Sequence, residues 1–231
     1  MTRLAAIALA GLAGLVALAG GGALVMPAPA LAQSTPAGLY RAQAGPDLAS
    51  AIELAPDGRF RYQLSEGALD EEAAGRWTAT EDGVLLQTLP APRPPEWRID
   101  RIEQTGDVPL KVTVKVPGGD NLQGIFLRVG YTNGDRGAAA TQADGWAMPA
   151  DDTRQPAWIE FSEPIHGVTS QRFDLPEAQR GLSLTVLLVP NEIGVAAFDG
   201  TRATITREGL VLHWRGRDIP YARAGRSRGG R

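Results

Sequence analysis

The sequence predicts an all-β protein in which an antiparallel, barrel-like meander is joined to a β-sandwich. Two observations support this fold class. Apolar and polar residues alternate with a period of two through most of residues 38–221, which is typical of half-buried strands. Short segments rich in Gly, Pro, Asn and Asp separate these runs, as turns separate the strands of sandwiches and barrels.

The first 32 residues differ from that pattern and predict a signal peptide. Arg3 precedes an apolar stretch at residues 4–25, and Ala30-Leu31-Ala32 forms a cleavage signal before Gln33. The alternative is a permanent anchor, because the stretch is long enough to span a bilayer. Its glycines and the missing Lys/Arg flank favour cleavage. We therefore expect a periplasmic or secreted protein without a stable membrane span after cleavage.

Residues 33–106 predict the meander. Aromatic and aliphatic side chains alternate with polar ones in residues 59–64, which indicates a half-buried strand. The turn residues 56–58 connect it to the run 49–54, so the two runs predict a hairpin. Residues 74–79, which carry a tryptophan, predict the next strand.

Four prolines between positions 90 and 95 predict a stiff extended connection, which we take as the domain boundary. Residues 107–190 then predict the sandwich. In residues 110–116 the valines face inward and both lysines face water. Residues 182–189 are apolar on both faces apart from a serine and a threonine, which predicts a central strand covered on both sides.

The last predicted strands, in residues 191–222, have the character of the first block. Two arrangements are consistent with this pattern. Either the sandwich is inserted into the first domain and residues 191–222 close that domain, or the two domains follow one another in tandem. The closing-strand pattern favours insertion. Residues 223–231, rich in Gly and Arg, predict a disordered tail.

Four segments of the first block follow the strand order of a known family. These are Gly38-Leu39-Tyr40, residues 54–60, Gly75-Arg76-Trp77 and Val84-Leu85-Leu86. The block resembles small lipocalin-like β-barrels, of which the N-terminal domain of envelope copper-resistance lipoproteins is an example. The cysteine pair of those lipoproteins has no counterpart in this sequence, so their copper and thiol associations do not carry over.

The middle block resembles carboxypeptidase-regulatory-like or transthyretin-like sandwiches. The residues that carry this resemblance are Val112-Thr113-Val114, residues 124–129 and residues 141–146, where the last of these matches a T-x-a-D-G turn. Modules of these families are usually non-catalytic, so the resemblance implies a non-catalytic module.

Composition excludes several classes of function. The chain has no cysteine, which excludes disulfides, thiolate metal sites and thiol catalysis. Its formal net charge is -3, so no large basic surface for nucleic acid is expected.

Residues suited to catalysis are few. The alternation around His213 places it on the solvent side of a strand. His166 with Glu160 and Glu163 could form a His/carboxylate site, but their spacing does not align three ligands. The acidic run at residues 70–72 predicts a solvated loop. We therefore predict no catalytic residue, no metal and no cofactor.

The aromatic residues Phe60, Tyr62, Trp77 and Trp214 are predicted to line the barrel interior. Two interpretations are open for them. They bind a small apolar ligand inside the barrel, or they form an ordinary core, since small barrels are filled by such side chains.

We expect an exported, non-catalytic envelope protein that binds a small apolar ligand or a protein partner. One alternative is a hydrolase of envelope polymers that uses two carboxylates facing each other across a cleft. Glu160 and Glu163 are the candidate pair. The other alternative is a structural module that presents an exposed apolar patch to a larger assembly. The sequence leaves the oligomeric state open.

Overall fold

The computed structural model describes residues 35–43, 45, 47–104, 108–177 and 181–225. Every regular element in these residues is a strand, which confirms the all-β fold class. The described part contains no helix long and apolar enough to cross a membrane. The predicted signal peptide and residues 226–231 of the predicted tail lie outside the described residues.

The strands are β1 (Gly38–Ala42), β2 (Leu48–Leu54), β3 (Arg59–Glu66), β4 (Leu69–Ala79), β5 (Gly83–Thr88), β6 (Glu96–Gln104), β7 (Leu110–Lys115), β8 (Phe126–Tyr131), β9 (Arg136–Ala140), β10 (Trp146–Ala147), β11 (Pro156–Glu163), β12 (Val168–Thr169), β13 (Phe173–Asp174), β14 (Leu182–Val189), β15 (Asp199–Ile205), β16 (Gly209–Trp214) and β17 (Arg217–Arg223).

Eight strands close into an antiparallel barrel in the order β1-β17-β16-β15-β5-β4-β3-β2. This closure is compatible with a lipocalin-like barrel. On β3 the side chains of Phe60, Tyr62 and Leu64 are buried inside the barrel, while the residues between them are exposed. β2 pairs with β3 along its whole length, so the predicted half-buried strand and its hairpin are confirmed.

The strands β6 to β14 form a sandwich that lies between the barrel strands β5 and β15 in the chain. One sheet has the order β10-β7-β14-β6, and the other has β12-β11-β8-β9 with β13 beside β11. β14 lies between β7 and β6, which confirms its predicted central position. Its inward face is fully buried, whereas Ser183 and Thr185 on the other face are only partly covered.

Two boundaries differ from those that the sequence predicts. The meander is predicted to reach residue 106, but β6 pairs along its length with β14 of the sandwich. The reason is Trp97, whose ring stacks 5.5 Å from that of Phe161 in the sandwich core. At the other boundary β17 extends through Arg223, the first residue of the predicted tail, because Arg223 pairs with Tyr40 of β1.

The connections to the sandwich leave and enter the barrel at one end. β5 stops at Thr88, so the N-terminal half of β4 has another partner. The backbone N–H of Glu72 donates to the carbonyl of Gly194 at 2.9 Å, and that of Ala196 donates to the carbonyl of Glu72 at 2.8 Å. Arg93 and Glu192 join the two connections through an ion pair of 2.9 Å.

Candidate functional site

The four aromatic residues predicted to line the barrel interior all pack against the barrel core. Phe60 and Tyr62 on β3 are buried, and Trp214 at the end of β16 is partly buried. The ring of Phe198 lies 4.9 Å from that of Tyr62 and 4.7 Å from that of Trp214, both edge to face. It lies 5.8 Å from the ring of Phe60. The protein's own side chain therefore occupies the space between these three residues.

Phe198 is held in place by a buried threonine. Its backbone N–H donates to Thr88 Oγ1 at 3.0 Å, and Thr88 Oγ1 donates to the carbonyl of Ala196 at 2.7 Å. No sequence pattern marks Phe198, because it precedes β15 in a segment without alternation. The fourth predicted residue, Trp77, lies toward the opposite end of the barrel, where its Nε1 donates to the carbonyl of Ala55 at 2.9 Å.

The acidic run predicted to be a solvated loop lies inside β4 instead. Asp70 and Glu72 are exposed, but Glu71 shares the inward face with Ala73, and its side chain is only 3% exposed. Glu71 Oε1 accepts an ion-pair contact of 2.7 Å from Arg215 Nη2. The prediction was wrong because a charge at an inward position interrupts the apolar alternation, and its partner is distant in the sequence.

Arg215 comes from the two-residue turn between β16 and β17. Its φ is 51° and that of Gly216 is 73°, a pair of positive values for which Asn or Gly is usual at the first position. A non-glycine residue there costs on the order of 1–3 kcal/mol. The guanidinium carbon of Arg215 lies 5.1 Å from the ring centroid of Trp214. We infer that an arginine stands here because it neutralises Glu71.

Three buried polar atoms at this end have no hydrogen-bond partner among the described residues. They are Tyr62 Oη, Glu71 Oε2 and Trp214 Nε1. An unsatisfied buried donor or acceptor costs about 1–3 kcal/mol, and more when it is charged. We name these three residues together with Arg215 the barrel-end cluster. Sequence periodicity could not reveal it, because its members come from three separate segments of the chain.

The tyrosine hydroxyls of this region remain protonated at neutral pH. Burial raises the pKa of Tyr62 well above the usual tyrosine value, and Tyr221 and Glu71 raise it further, while Arg215 and the nearby hydroxyl of Ser50 oppose them. Burial also raises the pKa of Tyr221, whose hydroxyl lies 2.8 Å from Ser50 Oγ. Both hydroxyls can therefore donate a hydrogen bond.

The two glutamates proposed as a catalytic pair point in different directions. They are three positions apart on β11, so they lie on opposite faces of the strand. Glu160 accepts a hydrogen bond of 2.9 Å from Arg128 Nε. Glu163 accepts backbone hydrogen bonds from Ile165 and His166, and it lies 3.0 Å from His166 Nδ1. These residues do not form the facing pair that the hydrolase hypothesis needs.

His213 lies on the outer face of β16, as the alternation predicts, and connects two neighbouring strands. Its Nε2 lies 2.9 Å from Thr204 Oγ1, and its Nδ1 lies 2.7 Å from Asp218 Oδ1. This is the order of hydroxyl, imidazole and acid found in hydrolytic triads. Thr204 lies within β15, between β5 and β16, so the described backbone groups around it belong to the sheet ladders. We infer that these contacts connect the three strands β15, β16 and β17.

A groove on the outer wall of the barrel offers space for a ligand. One cavity of about 650 Å³ lies between the outer face of β3 and β4 and residues 89–93. A second, of about 570 Å³, adjoins it, because both are lined by Arg61, Ala74 and Leu89. We name the two cavities together the wall groove. Their volumes fall within the range of about 300–1,000 Å³ that is typical of small-molecule sites.

The wall groove combines an apolar strip with arginine side chains, and the carboxylates of Glu53, Glu72 and Glu192 also line it. Leu89 borders both cavities and is 48% exposed, and Pro90, Pro92 and Val195 extend the strip. Prolines fix this segment in an extended form, so its apolar atoms stay at the surface. The sequence indicates only a connection at residues 89–93, because the opposite wall of the groove is formed by strands that lie elsewhere in the chain.

Three arginines line one cavity of the wall groove: Arg59, Arg61 and Arg76. Arg59 is directly opposite Arg76 on the neighbouring strand, an arrangement of like charges that is destabilising. Arg59 is paired with Asp57 at 2.7 Å. Neither Arg61 nor Arg76 forms an ion pair with a described residue, although Glu53 lies opposite Arg61. The groove therefore offers two guanidinium groups to an anion.

Within the described residues, no group of three histidine, aspartate or glutamate side chains is arranged to hold a metal ion. No protein-family model, no curated protein and no solved structure matches this chain.

Proposed function

We propose that the protein is an exported, non-catalytic binding protein whose wall groove holds a small molecule with an apolar body and an anionic group. The observation that carries this proposal is the half-exposed Leu89 beside two arginines without ion pairs. Guanidinium groups match the geometry of carboxylates and phosphates, and an exposed leucine gains from apolar cover. Export is part of the proposal and is supported by the signal-peptide pattern of residues 1–32.

The same proposal assigns the barrel to lipocalin-like proteins and the sandwich to transthyretin-like modules. Support for the first comes from the closure of eight antiparallel strands in a meander order. The proposal does not place the ligand inside the barrel. The ring of Phe198 fills the space where three of the predicted aromatic residues meet. The binding surface is accordingly placed on the outer wall.

Calorimetric titration with three matched amphiphiles tests the charge of the ligand. The probes are dodecanoate, dodecanol and dodecyltrimethylammonium, which share a chain and differ in head group. We expect dodecanoate to bind about tenfold more tightly than dodecanol, since a charge-assisted hydrogen bond contributes about 1.5–3 kcal/mol. Equal affinity for the anionic and cationic probes would contradict the proposal.

Two pairs of variants test which side chains of the wall groove bind the ligand. The double variant Arg61→Gln/Arg76→Gln is expected to lose about tenfold in affinity for dodecanoate, while Arg207→Gln keeps it, since Arg207 is an exposed arginine in the turn after β15. Leu89→Ser is compared with Leu85→Ser, because Leu85 is also an exposed leucine. If the control variants lose as much affinity as the groove variants, binding occurs elsewhere.

Export is tested separately by the mass of the protein recovered from the periplasm of an expressing cell. A chain that begins at Gln33 supports export with cleavage. A chain that retains residues 1–32 and stays with the membrane contradicts it, and this result leaves the groove experiments unaffected.

A further inference from the structure

A third cavity on the outer wall of the barrel has a volume of about 740 Å³. It crosses the outer face of β1 to β4, and residues 193–195 border it on one side. We name this cavity the wall trough. It adjoins the wall groove, because Gln63, Glu72 and Val195 line both, but the three arginines of that groove do not line the trough. Its volume is typical of small-molecule sites.

Short side chains form the floor of the wall trough. Ala49 and Ala51 point outward from β2, and Ser65 points outward from β3. Longer side chains at these three positions would fill the cavity. A ligand can therefore approach the strands closely between the two rims of the trough.

Opposite charges lie on the two rims of the wall trough. One row of paired residues crosses the four strands in the order Arg41, Ala51, Gln63 and Glu72. Neighbouring strands lie about 4.8 Å apart, so the backbones of Arg41 and Glu72 are about 14 Å apart. Asp70 lies two positions from Glu72 on the same face of β4 and borders the same rim.

These three charges are not neutralised by the described part of the protein. No ion pair joins Arg41, Asp70 or Glu72 to another described residue. Opposite charges on adjacent strands stabilise a sheet when they lie directly across from each other. In this row two uncharged residues separate them. The trough therefore offers a cation on one rim and two anions on the other to a ligand that carries both charges.

The acidic rim is fixed to the loop that borders the trough. The backbone N–H of Glu72 donates to the carbonyl of Gly194 at 2.9 Å, and within the loop that of Val195 donates to the carbonyl of Glu192 at 3.0 Å. Gly194 has a φ of 84°, and a side chain there would come within 3.3 Å of the carbonyl oxygen of Asp70. The backbone of this rim is therefore held in place before a ligand binds.

We propose that the wall trough binds a short peptide with free ends, whose amine lies at Asp70 and Glu72 and whose carboxylate lies at Arg41. An ammonium group donates charge-assisted hydrogen bonds to carboxylates, and a guanidinium group matches the geometry of a carboxylate. An extended chain of three residues spans about 10 Å, which fits between the rims once their side chains reach inward. Small side chains on the peptide suit the alanine floor.

Titration of the purified protein with four matched compounds tests both charges of the ligand. Trialanine carries both ends, N-acetyl-trialanine lacks the amine, trialanine amide lacks the carboxylate, and alanine is too short to reach both rims. Saturable shifts of backbone amide signals in nuclear magnetic resonance give the affinities. We expect trialanine to bind about fivefold more tightly than each of the other three, since each loses a charge-assisted contact. The proposal is overturned if trialanine produces no saturable shift, or if it binds no more tightly than its acetylated and amidated forms.

Variants of the two rims should give crossed results. Arg41→Gln removes the partner of the carboxylate, so it should weaken trialanine and N-acetyl-trialanine about fivefold and leave the amide unchanged. Asp70→Asn removes a partner of the amine, so it should weaken trialanine and the amide and leave N-acetyl-trialanine unchanged. Arg207→Gln and Glu208→Gln are the matched controls, because both residues are exposed in the turn between β15 and β16. Equal losses in the controls, or one loss shared by all three peptides in a rim variant, would overturn the assignment of the rims.

Peptide binding in the trough can be separated from anion binding in the wall groove. Arg41 and Asp70 do not line the wall groove, so dodecanoate should bind both rim variants as it binds the parent protein. If the peptides do not bind while dodecanoate responds to Arg61→Gln/Arg76→Gln, the trough proposal alone fails. If the peptides show the crossed results while dodecanoate does not bind, the trough proposal holds and the wall groove proposal fails.

Discussion

The barrel and the sandwich bury comparable cores but place their polar groups differently. Each core contains sixteen buried apolar residues among those described, so the difference is not one of size. In the sandwich the buried carboxylate, Glu163, lies at the end of β11 and is bound by two backbone N–H groups. In the barrel Glu71 lies within the wall and is bound by a single side chain from a distant turn.

This difference follows from the geometry of the two architectures. A sandwich is open at its edges, so a charged residue can sit at a strand end close to water. A closed barrel directs alternate side chains of every strand into one interior, where groups from distant strands meet. Glu71 on β4 and Arg215 after β16 are neighbours for this reason. The barrel therefore buries an ion pair between distant strands, whereas the sandwich keeps its buried carboxylate at a strand end.

Matched deletions of one aromatic ring in each core should give the largest effects. Phe198→Ala and Phe161→Ala are each expected to lower the free energy of unfolding by about 3–5 kcal/mol, measured by urea titration. The cavities should differ. The space left by Phe161 adjoins one residue with an unpartnered polar atom, Trp97, whereas the space left by Phe198 adjoins two, Tyr62 and Trp214.

Benzene distinguishes the two cavities, because empty apolar cavities bind it. We expect benzene to raise the stability of Phe161→Ala more than that of Phe198→Ala, because fewer unpartnered polar atoms adjoin the space left by Phe161. Equal stabilisation of both variants would show that the barrel interior is as apolar as the sandwich, and the contrast drawn between them would fail.

The sequence predicts those parts of the fold that depend on local alternation. The half-buried strand β3, with apolar residues at every second position, is predicted correctly, and so is the central position of β14. In each case the residues that determine the element are adjacent in the chain.

The parts that the sequence could not predict depend on contacts between distant residues. Glu71 interrupts the alternation of β4, and only its contact with Arg215 explains a buried charge there. Phe198 lies in an irregular segment and is positioned by Thr88, far away in the sequence. The wall groove needs the outer face of β3 and β4 and the proline connection together. No local pattern contains such pairings.

Removal of Arg215 tests how much the stability of the barrel depends on the one ion-pair partner of Glu71. Arg215→Ala leaves the carboxylate of Glu71 buried without a counter-charge. We expect a loss of about 1–2 kcal/mol at neutral pH, less than for a fully buried pair because Arg215 is half exposed.

Urea titrations of Arg215→Ala and of the parent protein at neutral pH measure this effect. Arg172→Ala is the sandwich control, because its ion pair with Asp174 is exposed and should contribute little. A loss for Arg215→Ala no larger than that for Arg172→Ala would mean that the barrel does not depend on this ion pair.

Alkaline pH should destabilise the barrel through its buried tyrosines. Burial raises the pKa of Tyr62 in the folded barrel, so the unfolded chain loses its proton first, near pH 10. The contribution of Tyr62 to stability is complete below that pH and falls as pH rises toward its folded value, by about 1.4 kcal/mol per pH unit. Tyr62→Phe should reduce this slope, as measured by urea midpoints between about pH 9 and 11.

The sandwich supplies the comparison through Tyr131. Burial raises the pKa of Tyr131 as well, but the neighbouring Arg154 opposes that shift. Tyr131→Phe should therefore change the alkaline slope less than Tyr62→Phe does. A larger change for Tyr131→Phe would place the more strongly buried hydroxyl in the sandwich.

The smallest expected effect concerns the outer wall, where one substitution should change stability and ligand affinity in opposite directions. Arg76→Glu converts the pair of like charges opposite each other on β3 and β4 into a pair of opposite charges, which should raise the free energy of unfolding by about 0.2–1 kcal/mol. The same change removes one of the two arginines offered to an anion, so affinity for dodecanoate should fall. If Arg76→Glu raises the free energy of unfolding and lowers the affinity for dodecanoate, the like charges of Arg59 and Arg76 are kept for ligand binding at a cost in stability. If Arg76→Glu lost stability, the two arginines would already be compensated within the protein, and their position would need no ligand to explain it.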